Sequence, residues 1–341
     1  MSEADDEALA MIRVAGEFVS YVLFPGIDET SFAERIDWRH REGGGFDAII
    51  SPWRKNRFRI AIGSGVPDII LSRLQAVDLE GEIEARAKRL GGVEPAMTLA
   101  WFTGVTFFAT HEACHAAAGH VAYQKAHFYE AAIPGDARRD VSAQKDEGSP
   151  DILDIRMFRV LAEYEADGAA AASLLAADRE LMRTIDGLSD EGDGEAESAM
   201  LFIAMGLFAT LELLGSQERV ADGYPTPQSR YLNVVAAVFR HAAPQLFHLK
   251  AGDYVRRPAS DEEARTVADR FKASVTPALK ALMQFDETTP FGIDVAALLG
   301  GAEPKKSEAG QQLASYSRNR ARFMRALSEF RETRMWDDFN D

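Results

Sequence analysis

The residues best suited to chemistry are His111, Glu112 and His115, in the run His111-Glu112-Ala113-Cys114-His115. On a helix, side chains four positions apart lie on one face. Both imidazoles can then hold a single metal ion. Glu112 is one step round and can reach a water on that ion. This is the physical content of the H-E-x-x-H pattern: two zinc ligands and a general base. The run lies within residues 98–125, a mostly apolar and small-residue stretch that reads as one buried helix. Two histidines and a glutamate are costly to bury there without a function. Cys114, between the two histidines, points off their face and reads as a small core residue.

Catalytic zinc takes three protein ligands and keeps one position for water. A third histidine at the longer H-E-x-x-H-x-x-G-x-x-H spacing would fall on Val121, which excludes that class. In one continuous helix His120 is rotated off the ligand face. It is expected to support the site from behind or to pack, although a ligand role stays open. The other common solution is a glutamate on a later helix. Glu163 and Asp167 are spaced to share a face. Glu163 is the expected third ligand, and Asp167 is expected to accept a hydrogen bond from the free ring nitrogen of His111 or His115. Glu165 is the alternative ligand, pointing roughly 160° away from Glu163.

Together, His111-Glu112-x-x-His115 and Glu163-x-x-x-Asp167 resemble the gluzincin metallopeptidases. The Glu163-Tyr164-Glu165-Ala166-Asp167 wording is similar to the branch holding the CAAX prenyl proteases and the heat-shock protease HtpX. That branch carries a later His-Pro motif followed by an arginine. Here Tyr224-Pro225-Thr226-Pro227-Gln228-Ser229-Arg230 has the proline and the arginine in register, with Tyr224 in place of the histidine. A looser likeness, through Gly119-His120, is to the phage-exclusion protease Lit. The resemblance covers residues 96–240 and implies a zincin-like helical catalytic core. A hydroxyl at Tyr224 could donate to an oxyanion. Arg230 could pair with Asp167 or meet a substrate carbonyl.

The elements that must hold these residues are mainly helices. Helices are expected over 4–23, 68–90, 98–125, from 151 or 154 to 177, and over 198–214, 229–242, 261–285 and 311–334. Ser260-Asp261-Glu262-Glu263 is a good N-terminal cap. Residues 46–54 and 57–62 read as a β-hairpin around Lys55-Asn56, the only convincing strands. Residues 133–152 and 216–229 read as loops, and 300–310 as mobile. The fold class is mainly α (α+β): a catalytic region over 1–250 and a helical extension over 251–341.

Composition narrows the partners. The 341 residues carry a net charge of −16, which argues against nucleic acid, because phosphate binding needs a basic face. A single cysteine leaves no internal disulfide framework. The acidic start lacks the basic region of a signal peptide, so a cytoplasmic location is expected. The apolar runs 97–110 and 199–211 fall short of a membrane span and read as core helices, with membrane association not expected. The expected activity is hydrolysis of peptide bonds in a peptide or protein substrate, with Zn2+ as cofactor. The competing reading is a non-catalytic zinc-binding scaffold, whose closed site would need His120 or His127 as a fourth ligand.

Overall fold

Between Val93 and Ala117 almost every residue is apolar, small or hydroxyl-bearing. A helix apolar all round has to be buried all round, and this one sets the layout of the rest. The computed structural model describes residues 3–23, 36–42, 44–54, 57–128, 153–185, 188, 193–215, 224–241 and 260–330. In chain order the first elements are α1 (Glu3–Phe18), a π-helical turn (Val19–Leu23), β1 (Ile36–Arg41), β2 (Ala48–Arg54) and β3 (Arg57–Gly63). Then come α2 (Val66–Gln75), α3 (Glu82–Arg89), α4 (Val93–Ala117) and α5 (His120–Phe128). The second half holds α6 (Ile155–Ala176), α7 (Asp178–Thr184), α8 (Asp193–Leu214) and α9 (Pro227–His241). It closes with α10 (Asp261–Met283), α11 (Pro290–Leu299) and α12 (Glu308–Glu329). The architecture is mainly helical with one small sheet, as the sequence reading expects.

α4 lies at the centre, packed against α1, α2, α6 and α8. Its crossing with α8 is close because both helices present a glycine. A Cβ on Gly206 would overlap the Ala100 carbonyl oxygen, and one on Gly104 would sit 2.9 Å from Thr210 Oγ1. The Thr210 hydroxyl donates to the Gly104 carbonyl across this crossing, at 3.2 Å. α8 is long and apolar enough to cross a membrane, but 83% of that stretch is buried inside the protein. On the other side of α6, Gly168 lets α9 approach until a Cβ there would meet Ala237 Cβ at 2.9 Å. α10 packs on α8, and α12 on α6 and α9, so the C-terminal helices share the core. The 250/251 boundary itself lies outside the described residues.

Four expectations need correcting. The sheet has three strands in the order β1-β3-β2, with β1 parallel to β3 and β2 antiparallel to it. The polar β1 sequence hid its strand; only Ile36 is buried, while Asp37 bridges Arg39 and Arg59. The expected helix over 68–90 is two helices, because the chain turns at Gly81 with φ +61°. The helix expected over 98–125 breaks at Gly119, with φ +80°, into α4 and α5. Residues 305–307, expected to be mobile, are pinned by the buried Asp294. Its carboxylate accepts from the backbone N–H of Lys305, Lys306 and Ser307 at 2.7–3.1 Å. The expected loop over 133–152 lies almost wholly outside the described residues.

Candidate metal centre

α4 and α6 pack side by side, and their facing turns carry the cluster. His111 and His115, one turn apart on α4, point their Nε2 atoms at each other, 3.1 Å apart. Glu163 on α6 completes the group: Oε2 is 3.3 Å from His111 Nε2, and Oε1 is 3.6 Å from His115 Nε2. One ligand atom from each of the three residues lies within 4.8 Å of the others, close enough to surround one ion. Asp154 starts α6 by accepting from the Met157 N–H, which fixes the register that turns Glu163 inward.

Behind these three residues stand three further groups. Asp167, one turn after Glu163 and fully buried, has Oδ1 2.9 Å from His111 Nδ1, in ion-pair contact but off the ideal hydrogen-bond line. Arg230, on the first turn of α9 and fully buried, donates through Nη2 to Asp167 Oδ1 at 2.8 Å and to Glu163 Oε2 at 3.0 Å. Its Nη1 reaches the Leu214 carbonyl at the end of α8, at 3.4 Å. The ion-pair alternative for Arg230 is thus the one the fold builds, and it embraces both carboxylates. One turn along α9, Asn233 donates to the Tyr164 carbonyl at 2.7 Å and ties α9 to α6.

The third group is His120. The break at Gly119 starts α5 in a new direction and brings this ring back beside His115. His120 Nδ1 is 2.9 Å from His115 Nδ1, and His120 Nε2 is 2.9 Å from Glu165 Oε2. His120 therefore lies behind His115, away from the converging Nε2 atoms. Glu165 reaches His120 and stands apart from the His111–His115–Glu163 group. His127 packs on Tyr123 and Phe330.

The electrostatics follow from burial and these contacts. Burial disfavours a charged His111, yet Asp167 and Glu163 together outweigh it and raise its pKa from 6.5 to about 9. Burial also disfavours a charged His115; with the cations at His111 and Arg230 and the His120 ring nearby, it stays well below the usual histidine range. Glu163 pays a burial penalty as well, but Arg230 and the two histidines hold its carboxyl well below the usual range. So two cationic groups, His111 and Arg230, face two carboxylates, with one proton between the ligand atoms where an ion would sit.

Glu112 is only partly buried, in contrast to His111, and His115 also reaches the surface, so solvent meets the group on the Glu112–His115 side. Tyr224 is partly exposed; its ring centroid is 5.8 Å from Cζ of Arg159, one helical turn before Glu163. Cys114 is buried, and burial raises its thiol pKa, followed by the charges of Glu165 and Asp167.

Sequence reasoning expected His120 behind the site but missed its Glu165 partner and the turn that brings the ring beside His115. Gly119 was the available signal, since a glycine after a helical run commonly turns the chain. No protein-family model matches the chain, and neither does any curated protein or solved structure.

Proposed function

We propose that the protein is a zinc-dependent peptidase with His111, His115 and Glu163 as ligands and Glu112 as general base. The observation that carries this reading is the convergence of two imidazole Nε2 atoms at 3.1 Å beside a buried carboxylate. Two nitrogens so placed are held together by a shared proton, and a metal ion can take that proton's place. Two neutral imidazoles and one carboxylate form a donor set typical of catalytic zinc, with one position left over. The described residues supply three such ligands. His120 and His127, the fourth ligands a closed scaffold site would need, are both engaged elsewhere, which favours the peptidase over the scaffold.

Zinc held there would act as a Lewis acid toward a carbonyl oxygen and acidify water. The chain's own groups do the rest. Glu112, on the solvent side, accepts the proton of the attacking water and delivers it to the departing amine. Asp167 and Arg230 hold His111 and Glu163 in place. Tyr224 offers a hydroxyl to a developing oxyanion. The edge strand β2 begins near α4: the Phe46 ring meets Phe108, one turn before Glu112, edge-on at 5.0 Å. Its outer edge, which no strand among the described residues pairs, suits an extended peptide held through the backbone.

The test combines elemental analysis with a peptidase assay. The expected result is about one zinc per chain. Glu112→Gln should keep the metal and abolish hydrolysis. Glu163→Gln should lose both, since a metal site depends on deprotonated ligands. Hydrolysis by Glu112→Gln at the wild-type rate would overturn the mechanism.

A further inference from the structure

We propose that Glu165 and His120 are positioning residues that lock His115 in the tautomer with its proton on Nδ1 and a bare lone pair on Nε2. The inference rests on the metal-site reading above and assigns two residues outside the ligand set.

Protons can be counted along one line of atoms. An ionised carboxylate only accepts, so His120 Nε2, 2.9 Å from Glu165 Oε2, carries a hydrogen. A neutral imidazole holds one N–H, which leaves His120 Nδ1 as an acceptor. His120 Nδ1 faces His115 Nδ1 at 2.9 Å, and one hydrogen must lie between them. It therefore belongs to His115 Nδ1. His115 Nε2 is left bare, and this is the atom aimed at His111 Nε2 and Glu163.

Packing keeps the line from rotating. His120 is 2% exposed, with its ring against Phe158 and Phe323. Gly119 reaches the positive φ that starts α5 in this direction. Asp167 serves the Nδ1 side of His111 directly, whereas His115 has an imidazole interposed between it and its carboxylate. Both ligands thus receive carboxylate support, at one remove for His115.

The experiment measures zinc affinity by competition titration and ring tautomers by long-range proton–nitrogen spectra of the zinc-loaded, histidine-labelled full chain. In wild type the expected signals are a Nδ1–H tautomer for His115 and a Nε2–H tautomer for His120. His120→Phe keeps the ring volume but removes the acceptor, and should weaken zinc binding about 10–100-fold. Glu165→Gln should weaken it less and blur the His120 tautomer. His120→Asn, which restores an acceptor near the Nδ1 position, should recover most of the loss. If His120→Phe fails to fold, Glu165→Gln and His120→Asn carry the test. A Nδ1–H tautomer at His120, or wild-type zinc affinity in both His120→Phe and Glu165→Gln, overturns the proposal. His111→Ala separates the two ideas: if it loses zinc while those variants keep it, only the positioning role fails. If folded His111→Ala also keeps full affinity, the metal site itself is wrong.

Discussion

Nε2 of His111 and Nε2 of His115 stand 3.1 Å apart, with the far nitrogen of each ring facing a neighbour at 2.9 Å, Asp167 or His120. In the metal-free protein one proton satisfies this arrangement, and His111 holds it up to about pH 9. A metal ion must displace that proton. Apparent zinc affinity should therefore rise about tenfold per pH unit and flatten above about pH 9. The sign for the metal-free fold is the reverse: the His111 pKa is raised, so its contribution is complete below pH 6.5 and is lost as pH rises through about 9. Calorimetry in buffers of different ionisation enthalpy should count one proton released per zinc at neutral pH. A count of zero would remove the proton from between the two rings.

Arg230 pairs directly with both Asp167 and Glu163, and His111 meets the same two carboxylates. Arg230→Leu leaves two buried carboxylates facing one histidine, and should destabilise the metal-free protein by about 3–5 kcal/mol. Zinc should then raise the melting temperature of the variant more than that of wild type, because a divalent ion restores the missing charge. Equal zinc-induced shifts in scanning calorimetry would show that Arg230 and the ligand site are not coupled.

Gly119 is asked to adopt φ +80°, and a Cβ there would sit 3.1 Å from Phe330 Cβ. Gly119→Ala should cost about 1–2 kcal/mol from backbone strain alone. It also favours a helix running straight through, which would swing His120 away from His115. The expected result is a lower melting temperature together with weaker zinc binding. Weaker folding with unchanged zinc affinity would separate the turn from the site.

Tyr224 lies beside Arg159, one helical turn before Glu163 on α6. If its hydroxyl meets an oxyanion, Tyr224→Phe should lower turnover by about 10²-fold while zinc content stays at the wild-type level. Unchanged turnover would make Tyr224 a packing residue.

Local periodicity was enough to pair the residues of the candidate centre. The spacing of His111 and His115 needs only a helix to bring both rings to one face, and the same holds for Glu163 and Asp167. The apolar wording of 93–117 and 198–214 likewise dictates burial, because neither helix has a polar face to turn outward. What tertiary structure decided is how separate faces meet. The α4–α6 packing set Glu163 against both histidines, and the start of α9 inserted Arg230 between two carboxylates. A positive φ at one glycine turned His120 from a residue off the ligand face into a neighbour of His115. β1 lacks a clear apolar alternation and exists because β3 offered it an edge. These outcomes depend on contacts between segments far apart in the chain, and no pattern within one segment records its partner.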